Sequence, residues 1–294
     1  MNKVGFIGVG IMGKSMVRNL MKAGFELHIY ARTKSKVEDV ISEGAQFHES
    51  IKDCVQDCDA VITIVGFPQD VEEVYFDQGN ILDSAKKGAY LIDMTTTSPQ
   101  IAEKIYEEGT KRGFHVMDAP VTGGDTGAKA GTLSILVGGE KEDYEACMPL
   151  FDAMGTNINY QGKAGCGQHC KLANQIMIAG TLSGVCEALT YAKEQGLDPE
   201  VFMKSVATGA AGSKQLDTFG PKILKDDYAP GFFMKHFIKD MKLALIEANR
   251  KGLSLDVLSM VLANYEELEQ EGYGDLGTQA LMKFYDEEHR NMEE

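Results

Sequence analysis

Short apolar runs alternate with amphipathic stretches over the first half of the chain, and that rhythm predicts alternating strands and helices. Lys3–Gly8 reads as a β-rich run, and Met12–Ala23 has helical periodicity. Glu26–Ala31 returns to strand, Lys34–Glu43 to helix, and Asp59–Val65 (DAVITIV) is apolar at nearly every position. Tyr90–Met94 and Gly113–Asp118 add two strands, while Thr132–Val137 and Asn157–Gln161 flank a helix at Lys141–Met154. Strands apolar on both faces and separated by helices predict a doubly wound α/β domain, its parallel sheet covered on both sides.

From about Gly165 onward no strand pattern survives. Cys166–Gln195 reads as one long helix, ended by Gly196 before Leu197-Asp198-Pro199. Helical patterns follow at Pro199–Thr208, Ser213–Lys225, Lys235–Lys251, Asp256–Glu271 and Gln279–Glu287, with Gly209, Gly212, Gly220, Gly231 and Gly252 placed as caps and turns. The predicted boundary lies near Gly162–Gly165, giving an α/β domain over 1–163 and an all-α domain over 164–294. The acidic tail (Asp286, Glu287, Glu288, Glu293, Glu294) reads as a solvated end.

Composition narrows the function classes. The net charge of −15 disfavours nucleic acid, whose phosphates need a basic surface. The N-terminal apolar run is too short and too interrupted by glycine for a signal peptide, and no apolar run is long enough for a bilayer span, so no membrane role is expected. Cys54 and Cys58, like Cys166 and Cys170, are spaced four apart on predicted helices, without the C-x-x-C or histidine pattern of a metal site. The expectation is reduced thiols, a cytoplasmic protein and no metal.

Gly8-Val9-Gly10-Ile11-Met12-Gly13 carries the first chemical signal. It is a G-x-G-x-x-G run with a strand before it and a helix after it. The first glycine permits a tight turn, the second lets backbone approach a pyrophosphate, and the third lets helix and strand pack closely. The helix N-terminus then offers free N–H groups to phosphate. This is the signature of a Rossmann-type dinucleotide site formed by Gly8, Gly10, Ile11, Met12 and Gly13. Cofactor choice depends on the end of the second strand. An NAD site places Asp or Glu there; here stand Ala31, Arg32 and Thr33, with Lys34 and Lys36 nearby. Arg32 suits a ribose 2′-phosphate and Thr33 can add a hydrogen bond, so NADP (NADPH) is the predicted cofactor.

Three further segments make the pattern specific: Asp118-Ala119-Pro120-Val121-Thr122-Gly123-Gly124, Gly165-Cys166-Gly167-Gln168-His169-Cys170-Lys171-Leu172-Ala173-Asn174-Gln175, and Lys239-Asp240-Met241-Lys242-Leu243-Ala244. With GFIGVGIMG at the start, they resemble the 3-hydroxyisobutyrate (β-hydroxyacid) dehydrogenase family, which includes tartronate semialdehyde and glyoxylate/succinic semialdehyde reductases. The motifs keep the family's order and spacing over nearly the whole chain.

The resemblance implies an NADP-dependent oxidoreductase moving a hydride between nicotinamide and a small 3-hydroxy acid or its semialdehyde. It makes Lys171 the general acid/base, exchanging the hydroxyl proton. Thr122, Gly123 and Gly124 match the substrate loop, where a hydroxyl and backbone N–H groups suit a carboxylate. Asn174 and Gln175 share a helix face with Lys171; the family often has asparagine at the position of Gln175, so which of the two amides orients the lysine stays open. Val65, Gly66, Phe67 and Pro68 match a segment running along the cofactor, though the pair before the proline departs from the usual apolar one. Thr96 and Lys239 are expected near the nicotinamide, with Asp240 orienting Lys239 or Lys171. His169 reads as structural; Phe232 and Phe237 read equally as pocket wall or core.

The active site is expected at the carboxyl ends of the strands, in a cleft between the domains, in a homodimer or homotetramer. Rival readings are a catalytically inactive NADP-binding scaffold, a 6-phosphogluconate-type reductase, for which the helical domain is too short, and an imine reductase, against which Lys171 speaks. Which acid is used, and in which direction, does not follow from the residues.

Overall fold

The structure is a computed structural model that describes residues 1–286. The chain divides into two compact units, Met1–Lys171 and Leu172–Glu294.

The first unit runs β1 (Lys3–Ile7), α1 (Ile11–Lys22), β2 (Glu26–Tyr30), α2 (Glu38–Ser42), β3 (Gln46–Phe47), α3 (Ile51–Val55), β4 (Ala60–Thr63), α4 (Pro68–Phe76), α5 (Ile81–Ser84), β5 (Tyr90–Asp93), α6 (Pro99–Lys111), β6 (His115–Asp118), β7 (Val121–Thr122), α7 (Gly124–Ala130), β8 (Leu133–Gly139), α8 (Lys141–Met154) and β9 (Gly155–Gly162). The sheet order is β3-β2-β1-β4-β5-β6-β8-β7, with β9 paired to β8. Strands β1 to β6 pair in parallel; β8 is antiparallel to β6 and β7. The order reverses between β1 and β4, so their carboxyl ends form the switch point where a ligand crevice opens.

Alternation within each strand feeds two cores. Val4, Phe6, Ile29 and Ile62 pack with Met16 and Leu20 of α1 and Phe151 of α8. Ile7, Val61, Leu91 and Val116 pack with Val55 of α3, Val74 of α4 and Ile105 of α6. This is the doubly wound arrangement that the apolar strands imply.

The second unit consists of the remainder of α9 (Cys166–Glu194), α10 (Pro199–Val206), α11 (Lys214–Ile223), α12 (Met234–Arg250), α13 (Asp256–Gln270) and two 3₁₀ stretches, Tyr273–Asp275 and Thr278–Tyr285. Leu182, Cys186, Phe237, Met241, Val261, Tyr265 and Leu281 form its core. Its described residues form no named strand.

Two local expectations need correction. Lys34–Glu43 is not one helix: a 3₁₀ turn at Lys34–Lys36 ends at the buried Val37, whose φ of −126° lies outside the helical region, and α2 then begins. The last predicted helix is a 3₁₀ stretch, and Glu287, Glu288, Glu293 and Glu294 lie outside the described residues. α9 is long and apolar enough to cross a membrane, although no uninterrupted apolar run suggested it. Its apolar residues Leu172, Ala179, Leu182, Cys186 and Leu189 are instead buried in the core of the second unit.

Candidate active site

The turn from β1 to α1 shows why each glycine of the motif is needed. Gly8 has φ +99°, and a Cβ there would lie 2.0 Å from the Ile64 carbonyl oxygen. A Cβ on Gly13 would lie 2.2 Å from the Gly8 carbonyl oxygen. Gly10 is different: a Cβ there would meet nothing within 4 Å, so its backbone faces open space. α1 starts at Ile11 with no side-chain cap and no acid in its first turn. An open face beside a helix N-terminus without a side-chain cap fits a pyrophosphate. Ile11 is half exposed and Met12 half-buried, flanking that face.

The loops after β4 and β5 are tied to each other. The Val65 amide donates to Thr95 Oγ1 at 3.0 Å, and Thr63 Oγ1 donates to Asp93 Oδ1 at 2.7 Å. Burial pushes the Asp93 carboxyl up to about 6, against the hydrogen bonds from Thr95 and Thr63. Gly66 continues this loop, and the exposed Phe67 leads into Pro68 at the first position of α4. Thr96 is half-buried between the buried Thr95 and Thr97.

At the end of β2, Arg32 is exposed and reaches α4: its Nη2 lies 2.5 Å from Asp70 Oδ1 and 3.0 Å from Glu73 Oε2. Thr33 is exposed beside it. Lys34 is itself paired with Glu49 at 3.5 Å. Arg32 and Lys34 of the basic cluster therefore carry counter-charges, supplied by residues outside that cluster.

The end of β6 anchors the start of α9. Asp118 is buried; its carboxylate accepts from the Gly165 amide at 2.7 Å and the Gln168 amide at 2.8 Å. Burial raises its pKa while these two donors pull it down. Gln168 is fully buried, its side chain donating to the Thr95 carbonyl at 2.7 Å and accepting from the Thr97 amide at 3.0 Å. A Cβ on Gly167 would lie 2.3 Å from the Leu136 carbonyl oxygen, so glycine lets the helix start this close to β8. One turn further along α9, Lys171 is only 7% exposed. Thr122 ends β7, half-buried; Gly123 and Gly124 follow at φ +131° and +61°, backbone that glycine adopts without strain.

In the second unit, Asn174 Nδ2 donates to Gln175 Oε1 at 2.8 Å, and Gln175 Nε2 donates to Asp240 Oδ2 at 2.6 Å. Asp240 is buried, with Lys239 Nζ 3.1 Å from its other oxygen. The two amides left open by the sequence are thus successive links of one chain, and Asp240 is in contact with Gln175 and Lys239. Phe237 is fully buried, stacked edge-on against Tyr265 and Phe232, so it belongs to the core.

Sequence reasoning assigned no role to Asp70, Glu73, Asp93 or Gln168. An aspartate ending an apolar strand was a visible signal for Asp93; the partners of the others are distant in sequence.

Comparison with known proteins agrees with this layout. The NAD binding domain of 6-phosphogluconate dehydrogenase matches residues 3–162, and the NAD-binding domain of NADP-dependent 3-hydroxyisobutyrate dehydrogenase matches residues 165–285. The chain belongs to the 3-hydroxyisobutyrate dehydrogenase family. It is 49% identical to an uncharacterised oxidoreductase of Bacillus subtilis, covering 96% of this chain and 98% of that one. It is 33% identical to an NAD-dependent L-serine dehydrogenase of Pseudomonas aeruginosa, over 97% and 98% of the two chains. The solved 3-hydroxyisobutyrate dehydrogenase of Mycobacterium tuberculosis, with L-serine, superposes with a TM-score of 0.88 at 26% identity, covering 96% and 98%. As a member of this family, the protein is an oxidoreductase with a nicotinamide cofactor.

Proposed function

We propose that the protein is an NADP-dependent dehydrogenase of small 3-hydroxy acids and the corresponding semialdehydes, with Lys171 as general acid/base. The observation that carries this reading is the buried placement of Lys171, one turn along a helix whose start is fastened by Gln168 and Asp118 to the carboxyl ends of β5 and β6. Lysine is seldom buried this deeply, which sets Lys171 apart from the exposed lysines of the chain.

The bound nicotinamide supplies or accepts the hydride. In reduction, Lys171 Nζ gives a proton to the oxygen that becomes the alcohol; in oxidation it takes that proton back. Its charge also polarises the carbonyl. Thr122, Gly123 and Gly124 bind the substrate carboxylate, and Asn174 and Gln175 orient the reacting groups. Gly8 to Gly13 would hold the pyrophosphate, Arg32 and Thr33 would bind the adenosine ribose, and Val65 to Pro68, Thr96 and Lys239 would complete the cofactor contacts. The names of the relatives support the substrate class, since 3-hydroxyisobutyrate and L-serine are both small 3-hydroxy acids.

Exposed Met177 and Tyr191 on α9 and Val257 and Met260 on α13 support self-association into a dimer or tetramer. The deciding experiment follows NADPH consumption with a panel of short semialdehydes, beside Lys171→Ala and an NADH control. Turnover of one aldehyde, lost in the variant while NADPH binding persists, is the expected result. Equal turnover by Lys171→Ala would overturn the assignment.

A further inference from the structure

The residues that follow β2 are all neutral or basic: Ala31, Arg32, Thr33, Lys34. Taken alone they promise a strong preference for a 2′-phosphorylated nucleotide. Folding brings two carboxylates to the same place. Asp70 Oδ1 and Glu73 Oε2 both sit on one guanidinium nitrogen of Arg32, at 2.5 and 3.0 Å. We propose that Asp70 and Glu73 are specificity determinants that weaken the preference for NADP over NAD by competing for Arg32. This deepens, and rests on, the reading of Arg32 as the residue that meets the ribose 2′-position.

Arg32 contributes one positive charge and the two acids contribute two negative ones, so this trio of side chains is net anionic. To pair with a 2′-phosphate, Arg32 must give up or share a carboxylate, and the released carboxylate then repels the incoming dianion. A 2′-hydroxyl carries no charge and meets no such repulsion. Lys34 is exposed and paired with Glu49 at 3.5 Å.

The two acids differ in how freely they can leave. The second oxygen of Asp70 accepts from the Phe67 amide at 2.9 Å and so caps α4; its side chain is mostly buried. Glu73 is half exposed on the next turn of α4 and carries no capping duty. Glu73 is therefore the residue to change, because removing its charge leaves the helix start intact.

The test is equilibrium binding by calorimetry at fixed ionic strength, with adenosine 2′,5′-bisphosphate, AMP, NADP⁺ and NAD⁺ as ligands. Wild type, Glu73→Gln, Asp70→Asn and Arg32→Ala are compared after a melting curve shows each to be folded. Glu73→Gln is expected to tighten the bisphosphate and NADP⁺ roughly three- to tenfold relative to AMP and NAD⁺, the scale of one exposed charge–charge term. Asp70→Asn, which keeps an oxygen for the Phe67 amide, should act in the same direction. A ratio that stays constant or falls in Glu73→Gln, while Arg32→Ala lowers it, overturns the competition and leaves the role of Arg32 standing. A ratio unmoved by Arg32→Ala overturns the underlying reading of Arg32 as well.

Discussion

The side-chain amide of Gln168 donates to the carbonyl oxygen of Thr95 at 2.7 Å, joining residues 73 apart in sequence. The same side chain accepts from the Thr97 amide, so one fully buried amide satisfies both backbone groups of the loop that follows β5. Gln168→Leu keeps most of the volume and removes both bonds. A buried donor and acceptor left without partners should cost about 2–5 kcal/mol. Urea denaturation will read this as a lower midpoint with an unchanged slope, and an unaltered midpoint would refute it.

The three motif glycines should separate in their effects. Gly10→Ala adds a methyl group to open space, so the melting temperature should stay within a few degrees while NADP⁺ and NAD⁺ binding weakens. Gly8→Ala and Gly13→Ala force contacts near 2 Å with backbone oxygens and should destabilise the fold itself. Calorimetric binding beside thermal melts distinguishes the classes; equal melting losses for all three would refute the assignment.

Asp93 gives a pH dependence whose sign is defined. Its carboxyl is raised from 3.8 to about 6 by burial, so the folded protein binds this proton more tightly than the unfolded chain does. Its contribution favours folding below about pH 4 and is lost as pH rises through about 6. Asp93→Asn retains an acceptor for Thr63 and removes the charge. It should stabilise the protein by up to about 3 kcal/mol at pH 8, with little gain at pH 4. Parallel denaturation curves at the two pH values check this, and a gain confined to pH 4 would contradict it.

Asp240 accepts from Gln175 and is paired with Lys239 inside the second unit. Asp240→Leu leaves a buried amide and an ammonium without their carboxylate, at about 3–5 kcal/mol. Asp240→Asn should recover part of that loss, because it keeps an acceptor but not the charge. A leucine variant as stable as wild type, measured by guanidinium denaturation, would show that the carboxylate is dispensable.

Legibility in the sequence followed the distance over which a signal acts. The apolar runs of β1, β2, β4, β5 and β6 and the G-x-G-x-x-G run are local, and each placed its element to within a few residues. The break at Val37, where φ is −126°, interrupts the helix expected over Lys34–Glu43, and the local periodicity carries no sign of it. Arg32 was evident as a cation, yet its carboxylate partners lie 38 and 41 residues away, and spacing along the chain says nothing about them.

By itself, then, the sequence determined the main strands β1, β2, β4, β5, β6, β8 and β9, the change to an all-helical second half and the residue types of the glycine turn. These follow from periodicity and from the conformational freedom of glycine, which act within a few residues. Tertiary structure decided which groups share a hydrogen bond or an ion pair: Gln168 with Thr95 and Thr97, Asp118 with the start of α9, Gln175 with Asp240, Arg32 with Asp70 and Glu73. Electrostatic and hydrogen-bonding energies depend on distances in space, and those exist once the sheet and helices have packed.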